Sequence, residues 1–516
     1  MRRAARALIA EPCGIASIIT AVASLPTSLY SAAQVRAIDR HVIDTLGIPG
    51  FTLMTRAGEA ALRALRARWP RAQRVFVLCG GGNNGGDGYV LAALAQRAHL
   101  EVTVATVVAP ERLRGDARRA WQECTAAAVT IQPFDPAMLK GVDVIADALF
   151  GTGLDRPLDE SVCSVIDSIN ASGLPVLSID VPSGLHADTG RIMGKAIQAT
   201  RTVSFIGLKT GLFLGSGPDV TGEVEFDALE VVPPTQLAAP TIERLDREFV
   251  SRVLPKRRRT AHKGEFGHVL VVAGGAGMPG AARLCAEACL RSGAGLVTIA
   301  TRAANVTAVM AGRPELMCHA VEDLPALEPL IERADVIVAG PGLGRDTWAR
   351  AIFDSVQNAE LPLVLDADAL NLLATNLRRR DDWILTPHPG EAARLLGIDT
   401  QAIQDDRLAA LGQLQNSFGG VIVLKGASTL IGTSGRLPSL CNRGNPGMAT
   451  PGMGDVLAGI VGALLAQLRD PWTAARAAVL AHALAGDAAA QGGERGLIAS
   501  DVIARLPACL NPQRSN

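Results

Sequence analysis

The sequence predicts an α/β protein of two domains, the first a doubly wound parallel sheet, and three observations carry that reading. Short β-rich runs alternate with helical periodicity through residues 75–206, the rhythm that builds parallel sheets. The alternation resumes at residue 268 after a proline-marked break, which sets a second domain behind the first. Polar, glycine-rich motifs stand at the carboxyl ends of the expected strands in both halves, where open α/β sheets bind ligands.

Bulk properties narrow the function classes. The 516 residues, 48% hydrophobic and 19% charged, suffice for two or more sizeable cores. Fifty basic side chains balance fifty acidic ones, which argues against a nucleic-acid or membrane-surface partner held by bulk charge. Nine cysteines without C-x-x-C pairs or zinc spacing read as reduced thiols, so a cytoplasmic location is expected. Residues 1–28 carry Arg2, Arg3 and Arg6 ahead of an apolar run at 15–25, but Glu11 and Pro12 interrupt them and the run is too short for a bilayer. The segment is read as a disordered extension or an upstream start, with secretion as the alternative.

The elements follow in order. A first helix capped by Ser31 and a second over 52–69 precede strands at 75–79, 102–107, 142–147, 175–180 and 202–206. After the first strand, G-G-G-N-N-G-G-D-G at 80–88 leads into a helical run from Tyr89. It is either a phosphate-ready turn or a plain connection capped by Asp87. The third strand ends at Asp147, ahead of G-T-G-L-D-R-P at 151–157, and the fourth ends in D-V-P-S-G with Asp180 and Ser183. Asn84, Asp147 and Ser183 offer oxygen ligands to one hard cation and leave Asp180 free for proton work; alternatively each caps the turn that follows it.

The motifs N-N-G-G-D-G, D-A-L-F-G-T-G-L and D-V-P-S-G, in this order over residues 30–232, resemble the YjeF N-terminal family of NAD(P)H-hydrate epimerases. The resemblance implies a Rossmann-like domain over 29–232. It implies that Asn83, Asn84, Gly85, Gly86 and Asp87, with Gly151, Thr152, Gly153, Leu154, Asp155, Arg156 and Pro157, bind the hydrated dinucleotide (NADHX or NADPHX). It further implies K+ held by Asn84, Asp147 and Ser183, with Asp180 as the acid/base that contacts substrate. Lys209 in G-L-K-T-G-L stands where relatives also carry lysine, the alternative being a solvated strand-end cation.

Residues 233–245, with Pro233, Pro234 and Pro240, read as a linker, and the basic run at 256–259 as a solvated face or the edge of a nucleotide cleft. Beyond it come a strand from His268, a helix over 280–292, the run L-V-T-I-A, and strands at 334–339, 363–366, 383–386 and 421–425. The loop G-P-G-L-G at 340–344 allows close approach, D-A-D at 366–368 ends a strand, and flanking prolines fix the loop of His388. Lys425 opens K-G-A-S-T in a tight turn that could wrap phosphates or end as an ordinary strand-end lysine. The stretch G-N-P-G-M-A-T-P-G-M-G-D at 444–455 runs straight into an apolar helix. Its unpaired N–H groups, reached past Gly452 and Gly454, suit a phosphate, and Asp455 beside them suits a base that takes a proton from an attacking hydroxyl, or a plain N-cap.

The set H-K-G-x-x-G, G-P-G-L-G, D-A-D-A-L, T-P-H-P-G-E, K-G-A-S-T and the 444–455 stretch resembles the YjeF C-terminal, carbohydrate-kinase-like family of ADP/ATP-dependent NAD(P)H-hydrate dehydratases. That implies a ribokinase-like α/β/α domain over 246–512. Ala281, Gly342 or Gly344, and His388 would contact the hydrate; Lys425, Gly426, Ala427, Ser428, Thr429, Gly452 and Gly454 would bind ADP with Mg2+; Asp455 would act on the hydroxyl. Met453 and Pro451 depart from the usual residues of that family. The expected function is repair of hydrated NADH and NADPH by a homo-oligomer, one half epimerising the R and S hydrates and the other dehydrating the S-hydrate with ADP to give coenzyme, AMP and phosphate. No nucleic acid and no membrane is expected as partner. The alternative is a ribokinase-like small-molecule kinase with a non-catalytic N-terminal binding domain.

Overall fold

The computed structural model describes residues 25–232 and 239–511. Residues 1–24 of the N-terminal extension, Pro233, Pro234 and residue 512 lie outside them. In the first half seven parallel strands lie in the order Thr130–Pro133, Glu101–Thr106, Arg74–Cys79, Val144–Ala148, Val176–Ile179, Arg201–Phe205 and Glu223–Asp227. Strand order reverses between Arg74–Cys79 and Val144–Ala148, which opens a crevice at their carboxyl ends. The inner strands are buried on both faces, as parallel strands covered by helices must be, and so read as continuous apolar runs.

The N-N-G-G-D-G motif is not a turn ahead of a helix. The helix spans Asn83–Arg97 with Gly82 as its cap residue, so the motif forms the first turns and Asp87 caps nothing. The expected start at Tyr89 came from reading the glycines as breakers. Here they allow contact instead: a Cβ on Gly86 would stand 2.5 Å from the Met54 Cε, and one on Gly88 2.5 Å from the Ala148 Cβ.

In the second half the strands run Met317–Ala320, Leu296–Thr301, His268–Val272, Val336–Ala339, Leu363–Leu365, Trp383–Leu385 and Val421–Leu424, all parallel, then the antiparallel Thr429–Thr433 and Ser439–Cys441. Strand order again reverses beside the first strand of the domain, between His268–Val272 and Val336–Ala339. The sheet then continues into Ile242–Arg244, Ser28–Tyr30 and Leu208–Lys209. The proline-rich interval thus supplies a strand, and one twelve-stranded sheet ends on residues of the first half. Sequence patterning misses Thr130–Pro133 and Met317–Ala320 because these edge strands are largely exposed, and Ser28–Tyr30 and Ile242–Arg244 because three residues show no period.

Helix Met453–Leu468 is the centre of the second domain, apolar almost all round and wedged between helix Pro279–Arg291 and the sheet. Gly459 lies against the carbonyl of Cys285 and Gly462 against the Val338 side chain, with no room for a methyl at either. Among the described residues no helix is long and apolar enough to cross a membrane. Gly459→Ala is therefore expected to destabilise this domain by about 1–3 kcal/mol, the usual cost of overpacking, read as a lowered denaturation midpoint; an unchanged midpoint would contradict the close packing.

Candidate active sites

The second switch point gathers most of the residues singled out in that half. Gly452 adopts φ +89° as the cap residue of helix Met453–Leu468 and makes no side-chain cap, so Asp455 lies in the first turn and is not the N-cap. Lys425, at the end of strand Val421–Leu424, reaches across to the same helix end: its Nζ donates to Asp366 Oδ1 at 2.6 Å and stands 3.7 Å from Glu391 Oε2. A Cβ on Gly454 would stand 3.4 Å from the Lys425 Nζ and 3.5 Å from Asp366 Oδ2, so the glycine keeps the pocket floor open. Three positive contributions meet there: the free N–H groups, the helix dipole and an ammonium.

Burial pushes the Asp455 carboxyl up to about 7; the carboxylates of Asp366 and Asp368 add to the effect and Lys425 opposes it. A general base works best with its affinity near ambient pH, and Asp455 meets that condition. Burial alone would depress Lys425, but Asp366 and Glu391 outweigh it and hold the ammonium charged. The strand-end lysine is thus an anchored cation.

The other loops converge on the same edge. Gly342 has φ +54° and sits against Ala281, and Gly344 has φ +81° and donates its N–H to Asp368 Oδ2 at 2.9 Å. His388 caps its helix, its Nδ1 accepting from the N–H groups of Gly390 and Glu391, while about half its side chain stays exposed with Nε2 3.3 Å from Glu391 Oε1. Gly426 and Ser428 take positive φ in the hairpin turn, Thr429 Oγ1 donates to the Gly426 carbonyl, and Ala427 is exposed. Arg407, buried, donates to the carbonyls of Leu424 and Lys425 and so braces the turn from behind. Pro451 is exposed and Met453 buried, neither crowding the helix end. The basic run at 256–259 does not edge this cleft. Residues 256–258 line a separate cavity of about 800 Å³ with Gln467 and Leu468, at the opposite end of the same helix, where cations complement terminal carbonyls.

The first switch point holds a cavity of about 600 Å³ lined by Asn83, Asn84, Asp87, Gly151, Thr152, Gly153, Asp180 and Lys209 among others. Gly85 and Gly86 are buried within the first turns of the helix, and Leu154, Asp155, Arg156 and Pro157 do not line the cavity. Asp180 is not free: its Oδ1 is ion-paired with Lys209 and accepts from the Phe205 N–H at 3.2 Å and Ser204 Oγ at 3.3 Å. Lys209 is 1% exposed and far from solvated; it also donates to the Phe205 carbonyl at 2.9 Å. Asp180 itself has φ +68°, a strained backbone that aims its side chain off the strand end.

Asp147 is fully buried and accepts from Ser183 Oγ at 2.5 Å, Ser183 N–H at 2.9 Å, Ser178 Oγ at 2.8 Å and Leu149 N–H at 3.3 Å. Burial pushes its carboxyl up and these bonds offset it. Both side-chain polar atoms of Asn84 are buried without a hydrogen-bond partner, next to Gly151 of the loop that follows the Asp147 strand. The orphaned amide oxygen of Asn84, with the Asp147 carboxylate and the Ser183 hydroxyl, would make an all-oxygen donor set of the kind a hard cation takes.

Sequence reasoning missed Asp39, Glu391 and His482. Asp39 lies mid-helix in Ala32–Asp44 and lines the first cavity. His482, on helix Pro471–Ala489, has a buried Nε2 with no partner, and burial with the nearby Lys425 pushes it down to about 4, so it is neutral at pH 7. A lone polar residue in a helical pattern carries no local signal; only tertiary placement marks it.

Both halves of the chain have known relatives. The profile described as NAD(P)H-hydrate dehydratase matches residues 269–508, and that described as YjeF-related protein N-terminus matches 50–211. The bifunctional NAD(P)H-hydrate repair enzyme of Coxiella burnetii is 48% identical over 489 residues, covering 94% of this chain and 100% of its own. The one of Escherichia coli K12 is 42% identical, covering 95% of each. A solved ribokinase-like superfamily protein of Enterococcus faecalis V583 is 32% identical with a TM-score of 0.50, covering 52% of this chain and 96% of its own.

The Asp455 carboxyl is expected to titrate near pH 7 in a carbon-detected NMR titration, and Lys425→Met to move that midpoint upward, because a neighbouring positive charge is lost. A midpoint near the ordinary carboxylate value of roughly 4 would contradict the burial that sets it.

Proposed function

This chain belongs to the family of bifunctional NAD(P)H-hydrate repair enzymes, and from that premise we propose how its two sites divide the work. The nicotinamide ring of NADH or NADPH adds water to give two epimers that dehydrogenases cannot use. The half within residues 246–512 dehydrates the S-hydrate. Asp455 takes the proton of the ring hydroxyl, whose oxygen attacks the terminal phosphorus of ADP; AMP leaves, and the ring then loses inorganic phosphate from the hydroxyl-bearing carbon and a proton from the adjacent carbon to solvent, which restores the double bond of the dihydronicotinamide. The N–H groups at Gly452 and Gly454 with Lys425 hold the transferring charge, and Mg2+ bound with the nucleotide would supply further charge neutralisation. Lys425, Gly426, Ala427, Ser428 and Thr429 enclose the nucleotide; Ala281, Gly342, Gly344 and His388 face the hydrate. The observation that carries this reading is a half-buried carboxyl at about 7 beside an open helix N-terminus and a charged lysine.

The half within residues 29–232 interconverts the epimers. Asn83, Asn84 and Asp87 with Gly151, Thr152 and Gly153 form its dinucleotide cavity, and Asp180 with Lys209 carries proton traffic around the hydroxyl-bearing carbon. Potassium would be held by Asn84, Asp147 and Ser183, where its charge would fix the loops after the two strands; the orphaned Asn84 supports this. A cytoplasmic compartment suits eight free thiols among the described residues.

Asp455→Asn is expected to lower dehydration of the S-hydrate by at least about 100-fold, measured as returning reduced-nicotinamide absorbance, with AMP and phosphate as products of the parent. A stable phosphorylated product would point instead to a kinase. Asp180→Asn should abolish epimerisation and leave S-hydrate dehydration intact; loss of both activities would contradict two separate sites.

A further inference from the structure

The epimerase cavity holds more ionisable groups than the Asp180–Lys209 pair. Asp39 enters from helix Ala32–Asp44, whose Val35, Ile38 and Val42 pack into the core while Arg36, Asp39 and Ile43 line the cavity. The helix is fixed at its start by the Ser31 capping box and by the Ala32 N–H donating to Asp188 Oδ1 at 2.6 Å. It is fixed again by Arg36 Nη1 donating to the Thr152 carbonyl at 2.8 Å, on the expected substrate loop. Asp39 Oδ1 is buried and has no hydrogen-bond partner. A buried carboxylate oxygen left bare destabilises the fold, and nothing in the helix requires one there. The charged groups that face the cavity are Arg36, Asp39, Asp87, Asp116, Asp180 and Lys209.

Inversion of a carbon stereocentre needs a group to remove a proton and another to supply one. Asp180 Oδ1 is already occupied by Lys209, the Phe205 N–H and Ser204, which leaves that pair as donor. Resting on the epimerase reading of this half, we infer that Asp39 is a second catalytic residue of the epimerase site, the base that complements the Asp180–Lys209 pair. Hydration of the enamine double bond puts the hydroxyl on the carbon bonded to the ring nitrogen, a hemiaminal. Asp39 takes the hydroxyl proton as the carbon–nitrogen bond breaks; that electron pair goes to the ring nitrogen, which takes a proton from Lys209, and the carbon becomes an aldehyde. Rotation about the adjacent carbon–carbon bond presents the other face. Attack by nitrogen re-forms the bond, the nitrogen proton returns to Lys209 and the oxygen regains its own, so no atom, proton or electron is gained or lost. Burial pushes the Asp39 carboxyl up to about 6, with Lys209 opposing and Asp180 adding, which leaves it mostly ionised at neutral pH and able to act as base.

The test uses the full-length protein, the separated R- and S-hydrates, and NMR exchange between them without nucleotide. Asp39→Asn is expected to lower the epimerisation kcat by about 100-fold or more with KM little changed, and to lack the rise in rate through pH 6 expected of the parent. Asp39→Glu, which keeps the carboxylate, is expected to recover part of the rate, and both variants should dehydrate the S-hydrate with ADP at the parent rate, which reports folding. Exchange at the parent rate in Asp39→Asn, or a rise in KM alone, overturns the inference while the epimerase reading stands. A parent that exchanges nothing overturns that reading itself.

Discussion

The ion pair between Lys425 and Asp366, 2.6 Å long and almost wholly out of water, is the constraint on which the dehydratase site depends. A buried pair of this kind contributes little net stability, because desolvation offsets most of its Coulomb energy. What it gains is position: an ammonium fixed under an uncapped helix end, with Gly454 leaving the space between them empty. Asp366 is held in turn by the hydroxyl of Thr386 at 2.8 Å. The same cluster sets the opposing demand. Charge that attracts a polyphosphate would keep a nearby carboxyl ionised and acidic, yet burial, joined by Asp366 and Asp368, outweighs Lys425, so Asp455 retains affinity for a proton at neutral pH.

The two halves share a framework. Lys209 ends the twelve-stranded sheet that begins in the dehydratase domain, and Arg244, in the strand from the proline-rich interval, donates to the carbonyls of Leu25 and Pro26. Leu29, Leu208, Leu212 and Ile242 belong to one apolar cluster with Leu430 and Leu440. The cation that pairs with Asp180 is therefore anchored in a sheet built mostly by the other domain, which ties the geometry of the first site to the folding of the second.

Much of this was legible in the residue pattern. Buried parallel strands are apolar on both faces, so strands such as Val421–Leu424 and Arg74–Cys79 announce themselves, and ligand-facing residues follow at their ends. The glycines were legible as close approaches but not in kind: Gly86 and Gly88 serve helix packing, whereas Gly454 leaves space between a helix end and Lys425, and one letter covers both. Partnerships across the fold were illegible. Asp180 read as free because Lys209 lies 29 residues on, and Asp39 read as one polar position of an amphipathic helix. The short strands Ser28–Tyr30 and Ile242–Arg244 exist only because an edge was there to receive them.

The central claim is that the ring oxygen itself becomes part of the leaving phosphate. S-hydrate prepared in water enriched in oxygen-18 carries the label on its hydroxyl, and mass spectrometry of the products after turnover with ADP by the Asp180→Asn protein, whose silent epimerase opens no ring to exchange with solvent, decides its fate. The account predicts one labelled oxygen in each inorganic phosphate released and none in water. Label in the solvent, with unlabelled phosphate, would show that the hydroxyl leaves without ever joining phosphorus, and the role given to Asp455 would fall with it.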